Sequence, residues 1–569
     1  MLSYLLKDKF KILGVISLNM IHTLLVTGLA LVYGNLVNIV ADGATAVELL
    51  KALGFALIYS LVAGFSEWVR HIASNKYYNR LLVRMQNDMY SRLIASKYDF
   101  ITKDDSSKHY DYMTSDLYRV RGAFSSLIVL TDRIVAAVSS FIAAAILNYK
   151  VALVMISMVV FMALIPVITK NRLIKAELSV SDRSKLWARS VKENLMGVSI
   201  IKSFAAEDRS ISEIANAGNI LRKTHDKKTI LDAAINGAAT IIQNISMLGL
   251  VGLTCYFVVT KEVAVGAVLS IVQIGMSFYG GILGLAANIA FYWGTYGIRK
   301  RVWNIIGKGK PSKYTGSYDF VDAIEFKNLS FCYNEDVRPI LDNITAKFEK
   351  NKKYLILGRS GSGKSTLLKL IANFYDTYTG DLLIDNINYT DAGDGLITSV
   401  VAIAQQNCYL FNRSMRYNID YLQTGDEERL NQIINFTCLD DFIARLPNGI
   451  DTVVDEEVNQ VSGGEKLRIN LARALFRDGS VLLLDEVTSS LDKATASRVE
   501  SNLLTLNNKT ILNVCHKFND QTLPLYDMIL IVENGHIVEQ GNYASLQNSP
   551  KLNEYRNTII DENTQESIQ

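Results

Sequence analysis

Six long apolar stretches, separated by polar segments, dominate the first 300 residues of the chain. Each stretch supplies about 20 residues, the length that an α-helix needs to cross roughly 30 Å of hydrocarbon. The stretches lie near residues 12–41, 49–69, 122–147, 151–169, 235–260 and 262–293. This pattern predicts six membrane-spanning helices that form an all-α transmembrane domain over residues 1–300.

The basic residues between these stretches alternate from one loop to the next. Ten lysines and arginines lie in residues 70–121 and thirteen in residues 170–228. The short loops contain only ADGATAVE, NYK and TKE. Positive charge collects on the cytoplasmic side, so we expect both termini and the two long loops inside. The chain is thus expected in the cell membrane as a multi-pass protein (the cytoplasmic membrane in a bacterium), with its polar half in the cytoplasm.

The two long loops are too apolar and too periodic to be plain linkers. Hydrophobic residues recur at spacings of three and four in LLVRMQNDMYSRLIASKYDF and in VKENLMGVSIIKSFAAEDRSISEIANAG. This spacing is typical of amphipathic helices. We expect long cytoplasmic helical extensions of the spans, which turn through a short cross-piece and return. The pattern alone leaves open whether these hairpins do more than stabilise the bundle.

A few ionisable residues lie within the apolar stretches, where their depth indicates their role. Asp132 and Arg133 lie about 24 Å from the outer end of the third stretch, which places them near the inner interface. Glu67 lies at a similar depth and can pair with Arg70 across one helical turn. These residues are predicted to be interfacial anchors. His22 is expected near mid-bilayer, where it either hydrogen-bonds within the bundle or contacts a substrate.

The last apolar stretch is rich in glycine. Gly275, Gly280, Gly281 and Gly284 occur there among aromatic residues. Small residues let helices in a membrane approach each other closely. Helix packing therefore explains these glycines without a ligand.

The composition agrees with a membrane half and a soluble half. The 569 residues exceed what one hydrophobic core usually organises. Hydrophobic residues make up 49% and the mean hydropathy is +0.16, while charged residues concentrate in the second half. A net charge of +3 gives no reason to expect nucleic acid as a partner. Five scattered cysteines without a CxxC pair predict neither a disulfide framework nor a zinc site.

A polar linker, residues 301–320, leads to a second domain over residues 321–569 that carries a phosphate-binding motif. KYLILGRSGSGKSTLLKL reads as a strand, a glycine-rich turn and a helix, and Gly358–Ser365 satisfies G-x-x-x-x-G-K-[ST]. Backbone N–H groups of such a loop surround phosphate oxygens, and the helix N-terminus adds positive potential. We expect Lys364 to reach the β- and γ-phosphates of ATP and Ser365 to hold Mg²⁺.

A second apolar strand ends in two acidic residues. VLLLDE spans Val481–Glu486, and VSGGE, Val461–Glu465, precedes it. Asp485 is placed to hold Mg²⁺, and Glu486 is placed to orient the attacking water.

The order of these motifs, from the Walker A loop through VSGGE to VLLLDE, resembles the nucleotide-binding domain of ABC transporters. Six spans with long inner loops ahead of one such domain resemble the half-transporters of the exporter fold, so the likeness covers the whole chain. It implies an α/β P-loop ATPase domain after the transmembrane domain. It also implies that two halves, identical or different, hold two ATP molecules between their ATPase domains.

The resemblance assigns further roles at matching positions. Tyr333 in FCYN is expected to stack on adenine, and His516 in VCHKF to contact the γ-phosphate as the switch histidine. Gln406 in AIAQQNCYLF matches the glutamine that contacts Mg²⁺ and links to the membrane helices. Glu486, His516 and Gln406 are therefore the expected catalytic residues, and Ser365, Gln406 and Asp485 the expected metal ligands.

The remaining expected nucleotide contacts come from both halves of a dimer. Ser462, Gly463 and Gly464 match signature residues that face the γ-phosphate bound by the opposite half, and Asp492 in SSLD matches an aspartate that crosses the interface. The residues of the Walker loop itself are Gly358, Arg359, Ser360, Gly361, Ser362, Gly363, Lys364, Ser365 and Thr366.

Both cytoplasmic loops also have counterparts in the family. ENLMGVSIIKSFAAEDR looks like the second loop with its coupling helix, and KHYDYMTSDLYRVR resembles the first loop more loosely. The chain departs from the family at Val461 and Glu465, where Leu and Gln are usual, and at Asp455 and Val458, which replace two glycines. Such drift is common in halves that pair with a different partner.

The resemblance implies ATP-driven movement of a substrate across the membrane, in the export direction. Two alternatives stay open, an importer of siderophore-like cargo on the same fold and an ATP-gated membrane sensor or regulator. The expected partners are a second half-transporter, the lipid bilayer and a transported substrate that the sequence does not identify. The few charges at mid-membrane favour an amphipathic or apolar cargo.

Overall fold

The computed structural model describes residues 4, 7–102, 106–308, 318–333, 338–454, 461–516 and 518–556. Asp455 and Val458, and residues 309–317 of the predicted linker, lie outside the described residues. The chain forms two compact units. The first unit holds residues up to 93 together with 106–308, and the second holds residues 94–102 together with those from 318 onward.

The described part of the first unit is helical. Three of its helices have 49, 48 and 53 residues, many more than a bilayer requires. The predicted extensions beyond the membrane are therefore confirmed. The helices are α1 Lys9–Ala41, α2 Ala46–Ile94, α3 Tyr98–Thr102 (which lies in the second unit), α4 Ser106–Asp111, α5 Leu117–Leu147, α6 Tyr149–Met196, α7 Val198–Ser203, α8 Glu207–Val259, α9 Ala267–Gly294 and α10 Tyr296–Lys308, with a π-helical turn at Tyr112–Asp116.

Five helices in the described part of the chain are long and apolar enough to cross a membrane. They are Lys9–Ala41, Ala46–Ile94, Lys108–Leu147, Glu207–Val259 and Ala267–Gly294. The remaining predicted span, near residues 151–169, lies in α6, which is continuous and begins with the apolar segment Tyr149–Val160. The side chains at 161–167 lie outside the described residues. Each of the six apolar stretches thus lies in a long helix.

The glycines of α9 lie where this helix packs against its neighbours α5 and α8. A Cβ added to Gly275 would lie 2.6 Å from a methionine sulfur of α8. A Cβ on Gly281 would lie 3.3 Å from the carbonyl oxygen of Arg133, and a Cβ on Gly284 would lie 2.9 Å from the Nε of the same residue. Close packing therefore explains these three glycines, as predicted, whereas Gly280 has open space at its Cβ position.

Ionisable residues of the spans make polar contacts within the bundle. Glu67 accepts a hydrogen bond of 2.6 Å from Arg70 Nε. His22 Nδ1 lies 3.0 Å from Ser66 Oγ, and His22 Nε2 lies 3.1 Å from Glu67 Oε2. Asp132 accepts a hydrogen bond from a threonine of α1. The predicted Glu67–Arg70 pair is confirmed. His22 is hydrogen-bonded within the bundle, which was one of the two predictions made for this residue.

The second unit contains a parallel sheet, a smaller antiparallel sheet and helices between them. Three strands of the parallel sheet are fully buried five-residue runs, as expected for strands covered on both faces. The strands are β1 Ala323–Phe331, β2 Leu341–Glu349, β3 Lys353–Leu357, β4 Tyr378–Ile384, β5 Ile387–Asn388, β6 Val401–Ala404, β7 Arg413–Ser414, β8 Val453–Val454, β9 Val481–Asp485, β10 Thr510–Val514, β11 Met528–Glu533 and β12 His536–Gly541.

In the larger sheet, the predicted motifs follow parallel strands and therefore lie at the edge formed by the carboxyl ends of these strands. Its order is β12-β11-β3-β10-β9-β6, with all neighbours parallel except the β11–β12 pair, and the antiparallel sheet has the order β2-β1-β4-β5. The helices of this unit, in addition to α3, are α11 Lys364–Ile371, α12 Tyr389–Val400, α13 Met415–Ile419, α14 Glu427–Phe436, α15 Asp440–Ala444, α16 Gly463–Arg477, α17 Lys493–Leu504 and α18 Tyr543–Leu546.

The chain enters the second unit through a segment that is fixed to the antiparallel sheet. The carboxylate of Asp385, in the turn between β4 and β5, accepts hydrogen bonds from the N–H groups of Val321, Asp322 and Ala323 at 2.8, 2.7 and 3.1 Å. The Tyr318 hydroxyl donates to the same carboxylate at 3.1 Å. Hydrogen bonds to a charged group are the stronger class, so this turn holds residues 318–323 firmly.

Residues 94–102 belong to the second unit, although the chain reaches them directly from α2 of the first unit. The ring of Tyr98 stacks on Phe374, with centroids 4.4 Å apart and planes at 21°. Lys97 forms an ion pair with Asp376. The stretch KHYDYMTSDLYRVR, which resembles the family's first loop, lies further along, in α4, the π-helical turn and the start of α5. The contacts of Lys97 and Tyr98 are thus made by residues that precede the stretch resembling the family's first loop.

Candidate nucleotide site

The Walker loop connects the buried strand β3 to helix α11. Gly363 has φ +107°, and a Cβ there would lie 2.7 Å from a Leu341 methyl group. A Cβ on Gly358 would lie 2.3 Å from the carbonyl oxygen of Val532. Only glycine fits at either position, because the first needs a left-handed backbone and the second a close approach to β11. The loop that follows β3 is therefore a narrow backbone turn at the N-terminus of a helix, which is a phosphate-binding arrangement.

The ammonium group of Lys364 lies over this loop. Its Nζ donates to the carbonyl oxygens of Gly358 and Arg359 at 2.8 and 3.0 Å, and it lies 3.5 Å from His516 Nε2. Burial lowers the pKa of Lys364 from its usual value, while Glu486 and Asp485 oppose this shift. A buried cation held at this loop is suited to bind phosphate oxygens.

Two of the predicted metal ligands meet at the end of β9. Ser365 Oγ donates to Asp485 Oδ1 at 2.8 Å. Burial raises the pKa of Asp485, and the hydrogen bond from Ser365 and nearby cations oppose this. A hydroxyl and a carboxylate are hard oxygen donors, and Mg²⁺ in such sites is completed by substrate phosphates and water. This oxygen pair therefore fits Mg²⁺.

The three predicted catalytic residues form one cluster. Glu486 Oε1 lies 2.7 Å from His516 Nε2, and Gln406 Nε2 donates to Glu486 Oε2 at 2.7 Å. Glu486 has φ +53°, an uncommon backbone conformation for a non-glycine residue, and its N–H is held by Val514 O at 3.0 Å. The turn after β9 thus aims this carboxylate at side chains that follow β10 and β6. In this arrangement Gln406 contacts the predicted base and makes no hydrogen bond to Ser365 or Asp485 among the described residues.

Tyr333 lies beside the start of α11. Its hydroxyl is 3.1 Å from Thr366 Oγ1, and its ring meets Phe331 edge to face with centroids 5.1 Å apart. The side chain stays 39% exposed. An aromatic ring anchored on one side and open on the other, next to the Walker helix, can stack on a base.

The signature segment begins α16 with a capping box. Ser462 Oγ accepts from the Glu465 N–H at 3.2 Å, while Glu465 Oε2 accepts from the Ser462 N–H at 2.9 Å. Glutamate and glutamine both serve in this motif, so Glu465 preserves the local structure. Arg445 pairs with the same carboxylate at 3.0 Å. Val461 is buried in an apolar cluster with Met415, so it fills an apolar position as leucine would.

The signature glycines and the SSLD turn lie next to each other. A Cβ on Gly464 would lie 2.9 Å from the carbonyl oxygen of Ser490, and the nearest neighbour of a Cβ on Gly463 would also be Ser490, at 3.9 Å. Asp492 Oδ1 accepts from the Thr495 N–H at 3.0 Å and caps α17. This hydrogen bond is the main cause of the lowered pKa of Asp492. Among the described residues, neither Ser462 nor Asp492 hydrogen-bonds to the Walker loop.

Two contacts at the site escaped the sequence analysis. Arg359 of the Walker loop pairs with Glu554 at 2.7 Å. Phe374 and Tyr375, which follow the Walker helix, receive Tyr98 from the first cytoplasmic loop. The aromatic run FYDTY after α11 was the available signal for the second contact, but no local pattern identifies its partner.

Two family models match most of the chain. The ABC transporter transmembrane region matches residues 12–281, and the model described as ABC transporter matches residues 341–489. The second match includes the Walker loop, the signature segment and the turn after β9.

Curated relatives match this chain over most of their length. A Staphylococcus aureus ATP-binding/permease protein named for multidrug export is 27% identical over 508 residues, which cover 87% of each chain. The ATP-dependent lipid A-core flippase of Vibrio vulnificus is 25% identical over 505 residues, which cover 87% of this chain and 86% of the flippase.

A solved structure shares the fold over nearly the whole chain. A bacterial Atm1-family ABC exporter with ATP bound superposes with a TM-score of 0.84 at 21% identity, over 97% of this chain and 98% of that one. Together with the family models, this likeness accounts for both units. The chain therefore belongs to the ABC transporters, as a half-transporter in which a multi-pass transmembrane domain is followed by one nucleotide-binding ATPase domain.

Proposed function

We propose that this chain is half of an ATP-driven exporter that works as a dimer. The observation that carries the proposal is the cluster of Glu486, His516 and Gln406 beside Lys364, in a chain whose other unit consists of membrane-spanning helices. Such a cluster is suited to hydrolysis of a bound nucleotide, and the membrane-spanning helices are the part of the chain whose movement the hydrolysis would drive.

In the proposed reaction, positioning and charge stabilisation do most of the work. Lys364 and the loop N–H groups would hold the β- and γ-phosphates of ATP. Glu486 would orient a water molecule and accept its proton, while His516 and Gln406 hold the carboxylate in place. Mg²⁺, bound by Ser365, Asp485 and Gln406, would neutralise charge on the phosphates. Tyr333 would stack on adenine.

The signature residues would complete the site of the other half. Ser462 and Gly464 lie at the N-terminus of α16, where N–H groups and the helix dipole favour an anion. Because they make no hydrogen bond to the Walker loop in the described part of their own domain, we assign them to ATP bound by the partner. The partner, a second copy or a different half, would contribute the matching segment in return.

The export direction is supported by the relatives. The multidrug protein and the exporter structure are named for export, and the flippase is named for lipid A-core. An amphipathic cargo agrees with the few ionisable residues of the spans, among which Glu67 contacts His22 and Arg70 and Asp132 accepts a hydrogen bond from a threonine. We therefore prefer export over import and over a sensor that moves nothing.

Transport into inverted membrane vesicles tests this function. With rhodamine 6G and an NBD-labelled phospholipid as probes, we expect ATP-dependent accumulation or flipping that the Glu486→Gln variant lacks. ATP-dependent loss of probe from loaded inverted vesicles would instead establish import. No movement of either probe, together with ATP turnover, would favour a sensor.

The second cytoplasmic loop exposes the surface that coupling requires. Around the short helix α7, Phe204 is 78% exposed, Met196 76% and Ile200 64%. An apolar patch of this kind on a cytoplasmic turn is typical of a binding surface. We propose that this patch binds a recess, here called the seat, on the ATPase domain of the other half.

Replacing Phe204 with aspartate should therefore uncouple ATP turnover from transport. The charge would have to be buried in the seat, so we expect probe transport to fall at least about tenfold while basal ATP hydrolysis persists. Phe204→Leu, which keeps an apolar side chain, is the matched control and should retain most of the transport. If the probes still stimulate the ATPase activity of Phe204→Asp, the loop only stabilises the bundle and does not couple the two domains.

A further inference from the structure

One helix, α16, holds both ends of the short segment that carries Gln406. Asn470 Nδ2 donates to the carbonyl oxygen of Gln405 at 2.6 Å, and Arg473 Nη1 donates to the carbonyl oxygen of Tyr409 at 3.2 Å. Asn470 and Arg473 are three residues apart in α16 and therefore lie on the same face of the helix. The segment 405–409 is thus fixed to α16 at its first and last residues.

The amide of Asn470 has a well-defined position in the core of the domain. Only 7% of the surface of Asn470 is exposed, and the next residue, Leu471, is fully buried. Leu471 belongs to an apolar cluster that also contains Ala402 and Ala404 of β6. Strand β6 ends at Ala404, one residue before the carbonyl group that accepts from Asn470. The strand and the helix are therefore packed together where the segment begins.

The side chain of Gln406 depends on this support, because it is exposed to solvent. A long exposed side chain has many rotamers, so burial does not fix its amide. That amide nevertheless donates to Glu486 Oε2 at 2.7 Å. A shift of the backbone by about 1 Å would lengthen this contact beyond the range of a hydrogen bond. The position of the segment therefore decides whether Gln406 reaches the carboxylate.

We infer that Asn470 is a positioning residue, which fixes the backbone from which Gln406 reaches Glu486. This inference rests on the proposed role of Glu486 in hydrolysis. Asn470 acts through the peptide group of Gln405, whereas Lys364 and the Walker loop hold the phosphates. Loss of the Asn470 amide should therefore slow hydrolysis and leave the affinity for ATP unchanged.

Steady-state ATP hydrolysis by the reconstituted transporter tests this difference between rate and affinity. Asn470→Leu nearly keeps the shape of the side chain but has no donor. We expect kcat per MANT-ATP site to fall about tenfold, while KM for ATP changes less than about twofold. Asn470→Ala lacks the same donor and should show the same loss. Normal kcat in Asn470→Leu would overturn the inference, and a loss confined to Asn470→Ala would do so too, because it would indicate a packing defect.

A second asparagine provides the matched control. Asn502, on α17, also donates from its Nδ2 to a backbone carbonyl, that of Phe436 at the end of α14, at 2.9 Å. Neither residue belongs to the catalytic cluster. Asn502→Leu removes a comparable hydrogen bond between two elements and should leave kcat nearly unchanged. An equal fall of kcat in Asn502→Leu would show that the effect is not specific to Asn470, and the inference would fail.

The dependence on Gln406 separates positioning from a general loss of stability. Gln406→Ala should lower kcat at least as much as Asn470→Leu, because no amide then reaches Glu486. Adding Asn470→Leu to Gln406→Ala should lower the remaining kcat less than about twofold, since both changes remove the same contact. A further tenfold loss in the double variant would contradict the inference.

Failure of the proposed function would look different from failure of this inference. If Glu486→Gln still hydrolyses ATP, the proposed function is wrong. If Glu486→Gln is inactive while Asn470→Leu turns over normally, only the positioning role of Asn470 is wrong.

Discussion

Replacing Glu486 with glutamine should reduce ATP hydrolysis at least about 100-fold while ATP binding stays near normal. Glutamine keeps the shape of the side chain and one acceptor oxygen for the Gln406 amide, but it cannot accept a proton from the attacking water. Lys364 and the Walker loop are unchanged, so nucleotide affinity should be preserved. Phosphate release and MANT-ATP binding, measured on the reconstituted transporter, give the two quantities separately.

Two comparisons make this expectation specific. Lys364→Ala should weaken ATP binding itself, because it removes the buried cation at the loop, and unchanged affinity would count against the Walker assignment. Glu533→Gln removes an acid whose carboxylate pairs with Lys551 at 2.7 Å, in β11 and outside the cluster, and should leave turnover almost unchanged. Near-normal turnover in Glu486→Gln would show that Glu486 is not the residue that accepts the proton of the attacking water.

Replacing Ser462 with arginine should abolish hydrolysis at the site of the partner and spare the site on the same chain. The side chain would place a bulky cation at the N-terminus of α16, where Ser462 and Glu465 now form the capping box. In a homodimer of Ser462→Arg chains, both sites carry the defect, and we expect activity to fall about 100-fold. In a heterodimer, the site that contains Glu486 of this chain remains complete.

Mixed dimers distinguish this arrangement from two independent sites. When Ser462→Arg chains are mixed with Glu486→Gln chains, each mixed dimer carries both defects at one site and none at the other. Activity should therefore reappear on mixing, provided that one complete site suffices. Ser462→Thr, which keeps a hydroxyl that can cap the helix, is the matched control and should stay active. A purified monomer that hydrolyses ATP at the full rate would refute the composite site.

Motifs could be predicted from the sequence because their geometry is local or follows from the parallel sheet. The Walker loop needs its own strand, glycines and helix, all contiguous in the chain. The acids at the end of β9 and His516 after β10 come from neighbouring parallel strands, whose carboxyl ends must meet at the same edge of the sheet. The three-residue spacing of Glu67 and Arg70 likewise predicted their pair, since residues three apart share a helix face.

Contacts between distant segments could not be predicted in this way. The seat of Tyr98 on Phe374 joins residues far apart in sequence, and no spacing rule links a five-residue helix to the end of the Walker helix. The contact of Gln406 with Glu486 was equally hidden, because resemblance assigned that glutamine to the metal and not to the base. Each of these contacts depends on tertiary packing.

The turn that holds Tyr318 and residues 321–323 has a mechanical consequence. Tension along the chain from the membrane half arrives at the segment fixed by Asp385, and four hydrogen bonds to one carboxylate resist it there. The load passes into the β4–β5 turn of the antiparallel sheet, and strand β3 with its Walker loop lies in the other sheet. Pulling on the covalent tether therefore loads the antiparallel sheet first, and the load reaches the phosphate loop only through the packing between the sheets, such as that of Leu341 against Gly363.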